Sequence, residues 1–270
     1  MKNSAYWALG LACVLALLSG ACGGEDKVAA GLDAELVVLQ EQGSALDAKR
    51  AELADLKAQI AAAMSAEAGE EEPAGEEGEE GEPAVSVEDL TAQAEALRNE
   101  INGASDDMMG ALVMFVNSAN LLEGEPVPPP VQTAIEMKSA EDMIIAEEYI
   151  WEGGEYRRAI EILNTTLMLD PNNADVQAAL DKATREQYMT EDRFAAVSKD
   201  MTQDEVRLAI GTVSRHNLRE YEDKNVIAWF YRREDKGAAG VWFEEKDGVL
   251  KVYKSDFNAI EAPEEEGAEG

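Results

Sequence analysis

The chain has 270 residues, of which 56 are Asp or Glu and 23 are Lys or Arg, a formal net charge of -33 at pH 7. Charge of that sign and size repels phosphate backbones and anionic headgroups, which excludes nucleic acid as a partner class and favours solubility and encounter with basic surfaces. The two cysteines, Cys13 and Cys22, both lie near the start, so no disulfide framework can brace the rest of the chain.

Composition changes several times along the chain, and the expected fold class is α+β, mainly α, built as separate modules. Lys2 precedes an apolar run, Ala8 to Leu18, which is the length of a signal-peptide core and too short to span a bilayer. It ends in Leu17-Leu18-Ser19-Gly20-Ala21-Cys22. These residues resemble the lipobox of bacterial lipoproteins, with Ser19 standing where an aliphatic residue is usual. The resemblance implies a signal peptide over 1–21, a mature chain that starts at a lipid-bearing Cys22, and a short flexible tether over 22–27 that includes Gly23 and Gly24. Gly23 after the cysteine points, again by resemblance, to the outer membrane, with the protein facing the periplasm. An ordinary signal peptide cut near Ala21 is the alternative, and it would leave an exposed free thiol in an oxidising compartment.

From Leu32, the residues Leu39, Leu46, Leu53 and Ile60 recur every seven, flanked by Leu36 and Leu56, which predicts one long amphipathic or coiled-coil helix over 28–66. Gly43, Arg50 and Lys57 occupy the alternate core positions, so the stripe suits a neighbouring helix better than a two-stranded zipper. It is also a candidate surface for self-association. Residues 67–85 are nearly all Glu, Gly, Pro and Ala and are expected to be a disordered acidic linker without a fixed oxygen cage for calcium. A second stripe, Leu90, Leu97, Ile101, Met108, Leu112, Phe115 and Leu122, predicts a helix over 86–123, with Ser86 and Asp89 as its N-terminal signal. Pro126, Pro128, Pro129 and Pro130 then mark a break over 124–130.

Over 131–188 the spacing of Ala146, Tyr149, Tyr156, Ala159, Leu163, Leu167 and Pro171 resembles a tetratricopeptide repeat. Small Ala146 and Ala159 would let two helices approach while the tyrosines fill the gaps, and Asp170-Pro171 ends the second helix. Gly153-Gly154 shortens the usual turn, and Thr166 replaces an alanine. A third helix follows Asn173. One repeat cannot bury its own faces, so it must lean on what precedes or follows it, as a spacer or as a peptide-binding unit.

Past residue 190, helical signals at Phe194–Val197 and Thr202–Ile210 give way to β-rich runs at Val226–Tyr231, Ala239–Glu244 and Val249–Tyr253. Thr202 with Glu205 forms a capping-box pattern, Gly211 ends that helix, and Asp247-Gly248 signals a hairpin. Met201–Gly211, Trp229–Tyr231 and Val241–Leu250 resemble the SmpA/OmlA family of small outer-membrane lipoproteins attached to the β-barrel assembly machinery. The resemblance spans 190–257 and implies two helices packed on a three-stranded antiparallel sheet, a module that docks onto another protein. Trp229, Phe230, Tyr231, Trp242 and Phe243 alternate across strands, so about half are core and the outward half are candidate protein-binding residues. Residues 258–270, rich in Glu and Gly, are expected to be a disordered tail.

His216 is the single histidine and lacks a cysteine partner for a zinc site or a nucleophile pair. No phosphate-binding loop, dinucleotide fingerprint, nucleophile elbow or zincin helix occurs, so neither enzymatic activity nor a cofactor or metal is expected. The chain therefore reads as a non-enzymatic, lipid-anchored envelope adaptor or scaffold whose envelope partner includes barrel-assembly components among its candidates. A secreted-type inhibitor acting through the C-terminal module is the alternative. The anchor and the long helices favour the adaptor.

Overall fold

A computed structural model of the chain describes residues 24–67, 86–119 and 126–262, with the side chains of the first helix described over 31–64. The signal segment, Cys22, the acidic linker from residue 68 to 85 and the tail from residue 263 lie outside the described residues. Among the described residues, seven α-helices precede or flank a four-stranded antiparallel sheet, an α+β arrangement that is mainly helical.

Helices α1 (Gly24–Glu67) and α2 (Val87–Ser118) form an antiparallel pair, marked by the bond from Lys49 Nζ to Glu100 Oε2 at 2.6 Å. Ser86 caps α2 by accepting the Asp89 N–H at 3.1 Å. The tether expected over 22–27 is cut short, because Gly24 to Lys27 already belong to α1. The second helix ends at Ser118, not at residue 123. The proline break ends early too: α3 (Pro129–Gly153) begins on Pro129, where a missing N–H costs nothing because the first turn has no acceptor for it.

The leucine stripe of α1 does not face α2 alone. Leu36, Leu39 and Leu46 pack with Ile101, Met108, Leu112 and Phe115 of α2 and with Val131, Ala134 and Ile135 of α3. At Gly43, Met108 and Met137 come within ordinary contact distance of where a Cβ would stand, so these two flexible side chains fill the space a larger residue would take. Arg50 reaches Glu141 of α3 in a two-pronged contact, Nη1 to Oε2 at 3.0 Å and Nη2 to Oε1 at 2.5 Å, and Ser105 of α2 also donates to Glu141. Glu141 is 3 % exposed, so the residue that spoils a zipper in sequence is half of a buried ion pair joining three helices.

Helix α3 then changes partners. Ala146 packs with Ala159 and Leu163 of α4 (Tyr156–Leu169) and with Val176 and Ala183 of α5 (Ala174–Glu186). Asn173 caps α5 by accepting the N–H groups of Asp175 and Val176. Between the two apolar clusters, Asp142 accepts from Lys138 at 2.5 Å and from Thr166 at 2.6 Å. Thr166 is fully buried and supplies that bond.

The C-terminal module holds α6 (Glu191–Phe194), α7 (Gln203–Ile210) and strands β1 (Leu218–Tyr221), β2 (Val226–Arg232), β3 (Ala238–Lys246) and β4 (Val249–Ile260), ordered β1-β2-β3-β4. The capping box of α7 forms as expected: Thr202 Oγ1 accepts the Glu205 N–H, and Glu205 accepts the Thr202 N–H at 2.7 Å. Asp247 and Gly248 both adopt positive φ, at 53° and 74°, as a tight hairpin turn requires.

Two sequence expectations are corrected. The sheet has four strands, not three, because Leu218–Tyr221 adds an edge strand whose Leu218 alone packs inward, too short and too charged to show alternation. The strand after the hairpin continues to Ile260, into the region expected to be tail. Register shifts at Ala238/Gly240 and Trp242/Phe243 break its period-two pattern in sequence while pairing continues to Ala238↔Ile260.

Candidate partner-binding cleft

The cleft depends on how the sheet module is fastened to the helices. Helix α3 stops at Gly154, whose φ of +62° lets its N–H donate to Ile150 O at 2.9 Å while the Glu155 N–H donates to Tyr149 O at 3.0 Å. A Cβ on Gly154 would stand 2.5 Å from Ser214 N and 2.6 Å from Val213 C, so glycine is what allows the segment after α7 to lie on this turn. The odd Gly153-Gly154 turn is therefore the docking point of the C-terminal module.

Hydrogen bonds surround that contact. Thr212 Oγ1 donates to Trp151 O at 2.7 Å, and Ser214 Oγ donates to Glu155 Oε1 at 3.2 Å. Arg193 donates to three carbonyls, Glu186 O, Tyr188 O and Ile210 O, at 3.0, 3.2 and 2.8 Å, and so links α5, the connecting segment and the end of α7. Tyr231 of β2 donates to Gly211 O at 3.1 Å, and the Met189 N–H donates to Arg232 O at 2.7 Å. Burial raises the pKa of the Tyr231 and Tyr156 hydroxyls, with Tyr156 adding to the rise at Tyr231, so both stay protonated at neutral pH.

Fastened this way, α7 stands opposite the exposed faces of α3 and α5, and a cleft of about 960 Å³ opens between them. Its apolar surface includes Met143, Ile144, Ile150 and Trp151 of α3 and Leu208 of α7. Trp151 is 53 % and Leu208 75 % exposed, large apolar side chains left open to solvent inside a concavity. The rim carries Glu147, Glu148 and Glu152 on α3, Lys182 and Glu186 on α5, and Lys57 from α1.

The aromatic residues singled out in sequence fall elsewhere. Trp229, Tyr231 and Phe243 are buried under the helices, with the Trp229 and Phe243 rings 4.6 Å apart, so they form core and cannot meet a partner. Phe230 and Trp242 do lie on the outer face of the sheet. They meet edge to face at 5.8 Å, Lys254 Nζ sits 4.5 Å over the Trp242 ring, and that ring covers Gly240, where a Cβ would stand 2.6 Å from it. Their surface is largely spent on cross-strand packing. Sequence reading passed over Trp151 and Leu208, because an apolar residue on the outer side of an amphipathic helix gives no sign of whether another module will stand across from it.

His216 is exposed on a short 3-10 turn at Arg215–Asn217. Among the described residues, no group of three or more His, Cys, Asp and Glu side chains could hold a metal ion. Compared with protein family models, curated proteins and solved structures, the chain matches none.

Proposed function

We propose that this protein is a non-enzymatic adaptor of the bacterial cell envelope, anchored through lipid on Cys22 and holding a partner protein in the cleft between α3, α5 and α7. The observation that carries the docking half is the pair Trp151 and Leu208, facing solvent from two modules that are bonded into a fixed relation. Surfaces of this kind, concave, apolar and ringed by charge, are where large side chains of a partner desolvate and contribute most to affinity. The anchor half rests on the lipobox-like Leu17–Cys22. No helix among the described residues is long and apolar enough to cross a membrane.

Outer-membrane placement follows from Gly23 only by resemblance, and barrel-assembly components are the first partners to test because of the SmpA/OmlA-like residues. Mass spectrometry of the native protein should find a lipid-modified Cys22 as its first residue, and Cys22→Ala should release the chain from membranes. A photo-crosslinking residue at position 208 should yield one discrete adduct in intact cells. If adducts form from position 242 and not from 208, the sheet face is the docking surface and the cleft is not.

A further inference from the structure

The cleft also indicates what kind of segment would fill it. Its lining comes from helices, chiefly α3, α5 and α7, and from Gly211 and Thr212 after α7; no residue of a described strand lines it, so it offers no free strand edge. An extended peptide laid on Met143, Ile144, Trp151 and Leu208 would leave its N–H and C=O groups unpaired, whereas a helix satisfies its own backbone. The stretch of α3 that lines the cleft, Ala140 to Glu152, is ~18 Å long at the helical rise, which corresponds to about three turns of an occupant.

Charge on the rim distinguishes the two edges of such a helix. Two of the lining cations are occupied: Arg193 by three carbonyls, Arg207 by Asp204 at 3.5 Å and by the Trp229 ring beneath it. On the α3 wall, Glu147 and Glu148 make no ion pair within 4 Å among the described residues, and neither does Glu186 opposite. Partial burial raises the Glu148 pKa; Glu152 and Glu141 add to that rise while Arg50 and Arg98 oppose it. A cation placed beside Glu148 would offset the unfavourable burial. Among the described residues Lys57 and Lys182 make no ion pair within 4 Å; Lys182 lies one turn from Glu186 on α5, so that wall carries both signs, while the adjacent Glu147 and Glu148 make the α3 edge the acidic one. The chain as a whole, at -33, draws basic segments in and repels a second copy of itself.

We propose that the cleft receives an amphipathic helix of about three turns from a different protein, its apolar face on Trp151 and Leu208 and its Lys or Arg residues along the edge that meets Glu147 and Glu148. This rests on the reading of the cleft as a protein-docking surface. It fixes the occupant's secondary structure, length and charge.

The test uses the full mature chain carrying Cys22→Ala and three fluorescently labelled synthetic peptides at physiological salt. One is a helix with a leucine face and lysines on one edge, one has glutamate in place of each lysine, and one is a scramble of the lysine peptide that has no apolar face. Anisotropy titration should show saturable 1:1 binding of the first, with the other two at least tenfold weaker. Leu208→Asp should weaken the first peptide at least tenfold; Leu208 is exposed, so the change leaves the core intact. Glu147→Gln with Glu148→Gln should narrow the gap between lysine and glutamate peptides severalfold. Equal binding of lysine and glutamate peptides, or of the scramble, overturns the inference, as does indifference to Leu208→Asp. If the peptides fail while the adduct from position 208 still forms in cells, this inference falls and the adaptor reading stands.

Discussion

At Gly154 and Arg50, single residues decide how the elements meet. A left-handed backbone at a non-glycine residue costs about 1–3 kcal/mol before any clash is counted. Gly154→Ala adds a Cβ where Ser214 N stands 2.5 Å away, so the joint must open as well as strain. The variant should lose about that much stability or more in urea unfolding, and amides of residues 212–214 should exchange faster while those of α1 and α2 are unaffected. Arg50→Met leaves the Glu141 carboxylate buried with Ser105 as its remaining partner. Removing one member of a buried pair typically costs about 3–5 kcal/mol, whereas replacing both by apolar residues of similar volume is often neutral. Arg50→Met should therefore lower the urea midpoint sharply, and Arg50→Met with Glu141→Met should recover most of the loss. Failure of the double variant to recover would show that the pair stabilises the native state beyond setting its register.

At the scale of elements, α7 shows how a short helix stands by its caps. Its eight residues bury only Val206 and Ile210, and propensity alone does not hold so short a helix in water. The Thr202 N–H, together with the Thr202 hydroxyl, holds the Glu205 carboxyl below the usual glutamate range. A depressed folded-state pKa gives stability that is complete above the unfolded pKa and disappears as pH falls through the folded one. Lowering the pH from 7 to 3 should thus destabilise the C-terminal module more in the native sequence than in Glu205→Gln, which has no proton to gain. Urea midpoints at the two pH values check this, and equal losses would remove Glu205 as the source. Replacing Thr202 by Ala should cost about 1 kcal/mol at pH 7 through the lost cap.

Across the whole molecule, α3 is the axis: its first half completes the core of α1 and α2, its second half builds the unit with α4 and α5, and its end receives the sheet module. Fixed in this way, residues 126–262 should unfold as one cooperative unit. Arg193→Met removes three hydrogen bonds at the joint without touching any apolar cluster. Calorimetry should then resolve two transitions where the native protein shows one for this region, and peptide binding in the cleft should weaken as α7 loses its fixed distance from α3. A single unchanged transition would mean that the Gly154 contact suffices for coupling.

The sequence by itself determined where the helices and the well-patterned strands lie, and it located the caps at Ser86 and Thr202, the helix start after Asn173, the stop at Gly211 and the turn at Asp247-Gly248. These are local: each depends on side-chain spacing and on backbone angles that neighbouring residues set. Weakly patterned strand escaped it, as at Leu218–Tyr221 and beyond Tyr253, where pairing across the sheet overrides the missing alternation. Tertiary structure alone decided the meaning of residues that looked out of place. Arg50 in a leucine stripe, Thr166 in place of alanine and a doubled glycine after α3 each depend on a partner 24 or more positions away in sequence. The same holds for the cleft. Periodicity reports that one face of a helix is apolar, but whether Trp151 and Leu208 are buried, scattered or gathered in one concavity depends on the angle at which two modules are fastened, and that angle is set by contacts between distant parts of the chain.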